Sequence, residues 1–263
     1  MSRTIATLAA FHLHERRRSP LAWGLPLGLM SAFIVAIYPS VQGALTKVVA
    51  QYPEGLKQAF GIGELSTVEQ YLHGEMLSLI VPLAVGYLAA RAVASDLSGA
   101  AESGRLEVVL SAPVRRAAVC LGAFTAAAVE VAAVLVLTLL LSLLGSLVAG
   151  SALGFGHALA GFVAVWPLAM VGGGLAVVVS GFSLRTSTVT GAVAGILVAM
   201  YVLDLIGKLD TGLSGLRYAS IFRYYGNAIE SGIEPLAFLG LVAVAALLAV
   251  VGAALLERRD LTT

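Results

Sequence analysis

Ala117-Ala-Val-Cys-Leu-Gly-Ala-Phe-Thr-Ala-Ala-Ala-Val-Glu130-Val-Ala-Ala-Val-Leu-Val-Leu-Thr-Leu-Leu-Leu-Ser-Leu-Leu-Gly-Ser-Leu-Val-Ala149 is a run of 33 residues with one charged side chain, Glu130. Coiled as an α-helix it is apolar on nearly every face, as a helix in lipid or in a large core must be. It would measure about 50 Å, against about 30 Å for the hydrocarbon core of a bilayer. Such a helix should tilt or project beyond the membrane at one end. Gly145 to Gly150 leaves room for a reversal, but too few residues follow for an extra span.

Working outward, five more runs have the length and polarity of spans: Leu21–Tyr38, Met76–Val93, Ala158–Phe182, Val189–Ile206 and Leu236–Leu256. The composition of the 263-residue chain agrees. Hydrophobic residues make up 59%, charged residues 12%, and the mean hydropathy is +0.95. Soluble domains hold about 25% charged residues. So little polar surface cannot cover a soluble globule, and so much hydrophobicity excludes intrinsic disorder. A net charge of +1 gives no broad basic face for nucleic acid. One cysteine, Cys120, excludes an intrachain disulfide and a cysteine-cluster zinc site. The expected fold is all-α: a single polytopic membrane domain, residues 1–263, with six transmembrane helices.

Six spans put both termini on one side. Eleven of the sixteen arginines and lysines fall on that side, and only Lys47, Lys57, Lys208, Arg217 and Arg223 on the other. The larger number sits on the shorter loops, so both termini are expected in the cytoplasm of a cell inner (plasma) membrane. The Arg16–Arg18 triplet before an apolar run also looks like the start of a signal peptide. No clear A-x-A cleavage site follows and more spans do, so a retained first span is the reading adopted. Ile5, Leu8 and Ala9 share one helical face, with Phe11 and Leu13 at its edges, and residues 1–20 read as an interfacial helix. On the outer side, Leu45, Val48, Val49 and Tyr52 keep helical spacing. After Pro53, Leu56 and Phe60 repeat it, so two short amphipathic surface helices are expected. Ser66-Thr67-Val68-Glu69 is a capping box able to open the second spanning helix.

The cytoplasmic segment 95–116 is the most specific stretch. Leu106, Val109 and Leu110 form a small apolar face at helical spacing, with Glu102, Arg105 and Glu107 around it. Pro113 ends the helix, because it has no amide donor and clashes with the preceding turn. A short rigid helix between two spans could transmit a push from a docked soluble partner. A solvated loop accounts for the same residues equally well.

Glu102-Ser-Gly-Arg-Leu-Glu-Val-Val-Leu-Ser-Ala-Pro-Val-Arg115 resembles the E-x-G-T/R-L-E-x-L-L-S-x-P-V-x-R segment of type-2 ABC transporter permeases, the membrane subunits of bacterial ATP-binding-cassette exporters. The ending Glu257-Arg258-Arg259-Asp260-Leu261 is similar to that family's R-R-D-L close, and Tyr38-Pro39-Ser40 with Tyr52-Pro53-Glu54 to Phe60-Gly61 looks like its outer loop. Arg105 departs from the more usual threonine. The resemblance implies an N-terminal interfacial helix, six spans and a coupling helix between spans two and three. It also implies a partly re-entrant outer segment, here 208–234, before the sixth span. The working unit would be two permeases, as homodimer or heterodimer, with two cytoplasmic P-loop ATPase subunits holding ATP and Mg. Glu102, Arg105, Leu106, Glu107, Val109, Leu110, Pro113 and Arg115 would be the ATPase-coupling residues. Gly191 and Gly195, a G-x-x-x-G step in the fifth run, read by themselves as helix packing, and the resemblance implies that they would be a permease–permease contact.

The chain carries no phosphate-binding loop. Its only Gly-Lys pair, Gly207-Lys208, is followed by Leu209, and position 202 is valine where a P-loop needs glycine. His12-Leu13-His14-Glu15 has the wrong order for an H-E-x-x-H metal helix, and no metal site or catalytic residue is expected. Glu130 is expected either in a structural or interfacial role or lining a transport path, since an acid at mid-bilayer costs about 2.5–3.5 kcal/mol. Asp204 and Lys208 should form an i, i+4 pair. Arg91 should snorkel to the inner surface. Gly172–Gly174 should serve helix packing. The function expected is a permease moving an amphiphilic or drug-like substrate with ATP hydrolysed by another chain. The rival is an ATP-independent polytopic scaffold or assembly factor.

Overall fold

The computed structural model describes residues 2–49, 51–53, 67–104 and 114–258. Among these, helices form the whole architecture and no strand occurs. Helix α1 covers Ser2–Glu15, α2 Ser19–Val49, α3 Ile80–Ala94, α4 Arg116–Ala149, α5 Phe155–Phe182, α6 Thr186–Leu209, α7 Ile221–Tyr225 and α8 Pro235–Arg258. Six stretches, Ser19–Ala44, Ile80–Glu102, Arg116–Ala149, Phe155–Phe182, Thr186–Leu209 and Pro235–Arg258, are long and apolar enough to cross a membrane. Each overlaps one of the six runs read from the sequence, the second being shifted from Met76–Val93 to Ile80–Glu102.

Helix α4 is unbroken over its 34 residues. It stops at Gly150, which takes φ 65° and donates its amide to the Ser146 carbonyl. That left-handed conformation favours glycine and ends the helix, so the run contains no reversal. Glu130 divides it. From there to Ala149 is about 28 Å, close to the hydrocarbon thickness. The first half is covered by α1, which lies so close that a Cβ at Gly122 would come within 2.8 Å of the Leu8 Cβ. Ala9 is buried, whereas Phe11, placed by the spacing at the edge of the apolar face, is exposed.

Two expectations about the connections are corrected. Helix α2 continues through Pro26 and Pro39 to Val49, so Leu45, Val48 and Val49 continue the helix of the first span and do not begin a separate surface helix. Proline inside a spanning helix loses one backbone hydrogen bond, which neighbouring helices and local adjustment can absorb. Leu56 and Phe60 lie outside the described residues. The capping box opens at Thr67 instead of Ser66. The Thr67 hydroxyl accepts from the Gln70 amide at 3.3 Å, and the Gln70 side chain accepts from the Thr67 amide at 3.4 Å. The same S/T-x-x-E/Q chemistry is met one residue later. Glu69 is thereby free to accept from the Gly154 amide at 3.0 Å, pinning the turn between α4 and α5.

Helix α5 is the centre of the bundle, packed against α3, α4 and α8. Its glycines allow near-backbone contact. A Cβ at Gly172 would lie 2.7 Å from the Gly86 carbonyl of α3. On the other side, a Cβ at Gly252 of α8 would lie 2.5 Å from the Val178 nitrogen. Lipid offers no hydrophobic drive for helices to associate, so close van der Waals packing between small residues holds them together. The bundle has a terminal face, the end where α1 and the start of α2 lie. Its opposite face carries the 3-10 turn Thr211–Ala219, α7 and the short helix Ala228–Ser231.

Candidate functional site

At the terminal face, four elements converge on one guanidinium. Arg16, just past α1, donates to Asp96 Oδ2 at 2.8 Å and pairs with Glu130 Oε2 at 3.0 Å. Ser19, at the start of α2, donates to Glu130 Oε1 at 2.5 Å. His12, one turn before Arg16, brings Nδ1 to 3.3 Å from Asp96 Oδ1. Asp96 reaches this point because the helix widens into a π turn over Ser95–Gly99, which buries Asp96, Leu97 and Ser98 in succession. Single π turns of this kind recur at functional sites. Glu130 is 1% exposed and Asp96 7%. Two carboxylates removed from water must be paired, and Arg16 serves both. Glu130 therefore joins α4 to the α1–α2 corner within the chain. His12, Arg16 and Asp96 received no site role from the sequence. The available signals were the i, i+4 spacing of His12 and Arg16 and the isolation of Glu130 in an apolar run.

A second junction lies nearby, at the end of the second span. Glu102 accepts from the Thr186 hydroxyl at 2.7 Å with one oxygen and from the Thr186 amide at 3.3 Å with the other. Thr186 is the first residue of α6, so the carboxylate satisfies a free amide at the positive end of that helix. Beside it, Ser98 and Ser180 hydroxyls lie 3.3 Å apart. The end of the second span is thus fastened to the turn between the fourth and fifth. Arg105, Leu106, Glu107, Val109, Leu110 and Pro113 lie outside the described residues. Arg115 is exposed immediately before α4, where its carbonyl accepts from the Ala118 and Val119 amides.

The model of the multidrug efflux system permease Rv1217c, C-terminal domain, matches residues 5–256. The chain belongs to that family. It is a multi-pass membrane permease of the efflux type. No curated protein matches it.

In this permease Gly191 and Gly195 both lie exposed on α6, and a Cβ at either would meet nothing within 4 Å. Among the described residues their G-x-x-x-G step packs against no other helix of the same chain, in contrast to Gly172 and Gly174 of α5. At the opposite face the expected pair forms: Lys208 Nζ is 2.8 Å from Asp204 Oδ2. Arg217 adds a second cation, with Nε 3.0 Å from Asp204 Oδ1. Close by, His73 is buried, and burial, helped by the charge of Lys208, pulls its pKa down to about 4. His157 donates from Nδ1 to the Ile229 carbonyl at 2.8 Å, which anchors the segment before α8 to α5.

Proposed function

We propose that this permease is the non-catalytic membrane subunit of an ATP-driven exporter of the type-2 ABC class. It would work as a pair of permeases with two P-loop ATPase subunits that hold the ATP and Mg. The contact that supports this most is the grip of Glu102 on Thr186. Segment 105–113 follows directly on the end of the second span, and Glu102 ties that end to the start of the fifth. An ATPase bearing on Leu106, Val109 and Leu110 would therefore move both spans together. The Arg16 cluster would carry part of the motion to α1 and α4. Alternating access follows when paired ATPases close on ATP, the two spans tilt, and a path for an amphiphilic or drug-like molecule opens outward. The basic residues favour the terminal face as the cytoplasmic one. The open Gly191–Gly195 face of α6 is where a second permease would pack.

The test is co-purification of the permease with its ATPase, followed by substrate-stimulated hydrolysis in lipid. Leu106→Ala with Leu110→Ala should lose the ATPase, because truncating central apolar anchors costs about 2 kcal/mol or more each. Glu102→Ala and Thr186→Val should keep it bound and lose the stimulation. Wild-type stimulation in both single variants would refute the coupling role. Efflux by a permease that retains no P-loop partner would refute the ATP-driven reading.

A further inference from the structure

We propose that the opposite face holds a binding site for one phospholipid, with a preference for a zwitterionic, ethanolamine-type headgroup. A cavity of about 870 Å³ opens between the outer segment and α8, within the size range of small-molecule sites. Its two ends differ in chemistry. At the top stand Arg223 and Glu234. They form no ion pair with each other among the described residues, and Arg223 instead lies over the Tyr218 ring, 4.1 Å from its centroid. The Tyr224 hydroxyl donates to the Tyr218 carbonyl at 3.3 Å and so steadies that ring. The third charged residue of the lining, Arg217, is already taken by Asp204.

Below these groups the wall is apolar. Leu236, Ala237, Gly240, Leu241 and Val244 follow one side of α8. From Leu236 to Val244 is about 12 Å of helix, directed from the outer end into the bundle. A free anion has no use for such a wall, whereas an acyl chain would cover it. An adjoining recess shares Arg223, Tyr224, Glu234 and Leu241 and adds Tyr225 and Asn227. The Tyr225 hydroxyl and the Asn227 side-chain oxygen are buried there without a hydrogen-bond partner. Buried polar atoms are rarely left so. Both atoms are closed off from the cavity surface, so the headgroup is held by Arg223 and Glu234 and not by them. Arg223 then faces the phosphate and Glu234 the ammonium, each a charge-assisted bond. The assignment requires only that the chain spans a membrane, and it is independent of the energy source for transport.

The full chain, purified in detergent, is offered phosphatidylethanolamine, phosphatidylglycerol or inorganic phosphate, and retained lipid is read by native mass spectrometry. Wild type should retain phosphatidylethanolamine above phosphatidylglycerol, and phosphate should displace neither. Arg223→Gln should lower retention of both lipids about tenfold. Glu234→Gln should remove only the preference. Gly240→Leu fills the wall at a position where an added Cβ meets nothing within 4 Å, and should block both lipids with the bundle intact. Unchanged retention in Arg223→Gln or Gly240→Leu would overturn the site. So would displacement by inorganic phosphate, and equal retention of the two lipids by wild type would overturn the zwitterionic assignment.

Discussion

The permease has two charge clusters, one at each end of its bundle, and they are built on opposite plans. At the terminal face one cation serves two buried carboxylates, from residues 80 and 114 positions away along the chain. At the opposite face one buried carboxylate, Asp204, is served by two cations four and 13 positions away. Among the described residues, the first cluster has no second arginine or lysine in contact: without Arg16, Asp96 keeps the His12 imidazole and Glu130 the Ser19 hydroxyl, but neither keeps a permanent cation. The second has a cation to spare. The first also fixes how separate helices sit together, whereas the second secures only the end of α6 to the turn that follows it.

The largest effect should therefore come from Arg16→Leu, with a loss of about 3–5 kcal/mol in the thermal unfolding of the detergent-solubilised chain, as expected when one partner of a buried network is removed. The same background carrying Asp96→Asn and Glu130→Gln should recover most of that loss, since no uncompensated charge remains. A small loss in the single variant, or no recovery in the triple one, would mean that water reaches the cluster and that the two ends are alike.

An intermediate effect should appear in the pH dependence beside the second cluster. His73 has a pKa depressed from 6.5 to about 4, so the folded protein binds fewer protons there than the unfolded chain. Its contribution is full above pH 6.5 and is lost as pH falls toward 4. His73→Leu should flatten the stability profile across that window and leave it unchanged at pH 8. An identical slope in both proteins would remove His73 as the source. The smallest effect should be that of Lys208→Met, about 1 kcal/mol or less, because Arg217 still holds Asp204. A loss as large as that of Arg16→Leu would erase the contrast between the clusters.

The same contrast explains which parts were legible in advance. Asp204 and Lys208 were readable as a pair because helical geometry alone brings residues i and i+4 together. The N-terminal helix was readable from the spacing of Ile5, Leu8 and Ala9. Glu130 was conspicuous, but its partners were not, since no periodicity links it to Arg16 and Ser19. Glu102 was marked as a coupling residue by resemblance, and its hold on Thr186 depends on where two chain segments 84 residues apart meet. The shift of the capping box from Ser66 to Thr67 came from two frames that satisfy the same pattern, between which only the fold could choose.

By itself the sequence determined the solvent, the number of spans and the approximate limits of the last four of them. These follow from transfer free energy and helical rise, which are properties of each segment alone. It also determined that small residues would bring α5 close to its neighbours. The tertiary structure alone decided which helices those neighbours are, that Arg16 joins Asp96 to Glu130, and that Gly191 and Gly195 face outward while Gly172 and Gly252 face in. The physical reason is that a buried charge or a bare backbone is neutral about the identity of its partner. Any cation, carboxylate or small residue of the right shape would satisfy it, and only the packing of the whole bundle fixes which one arrives.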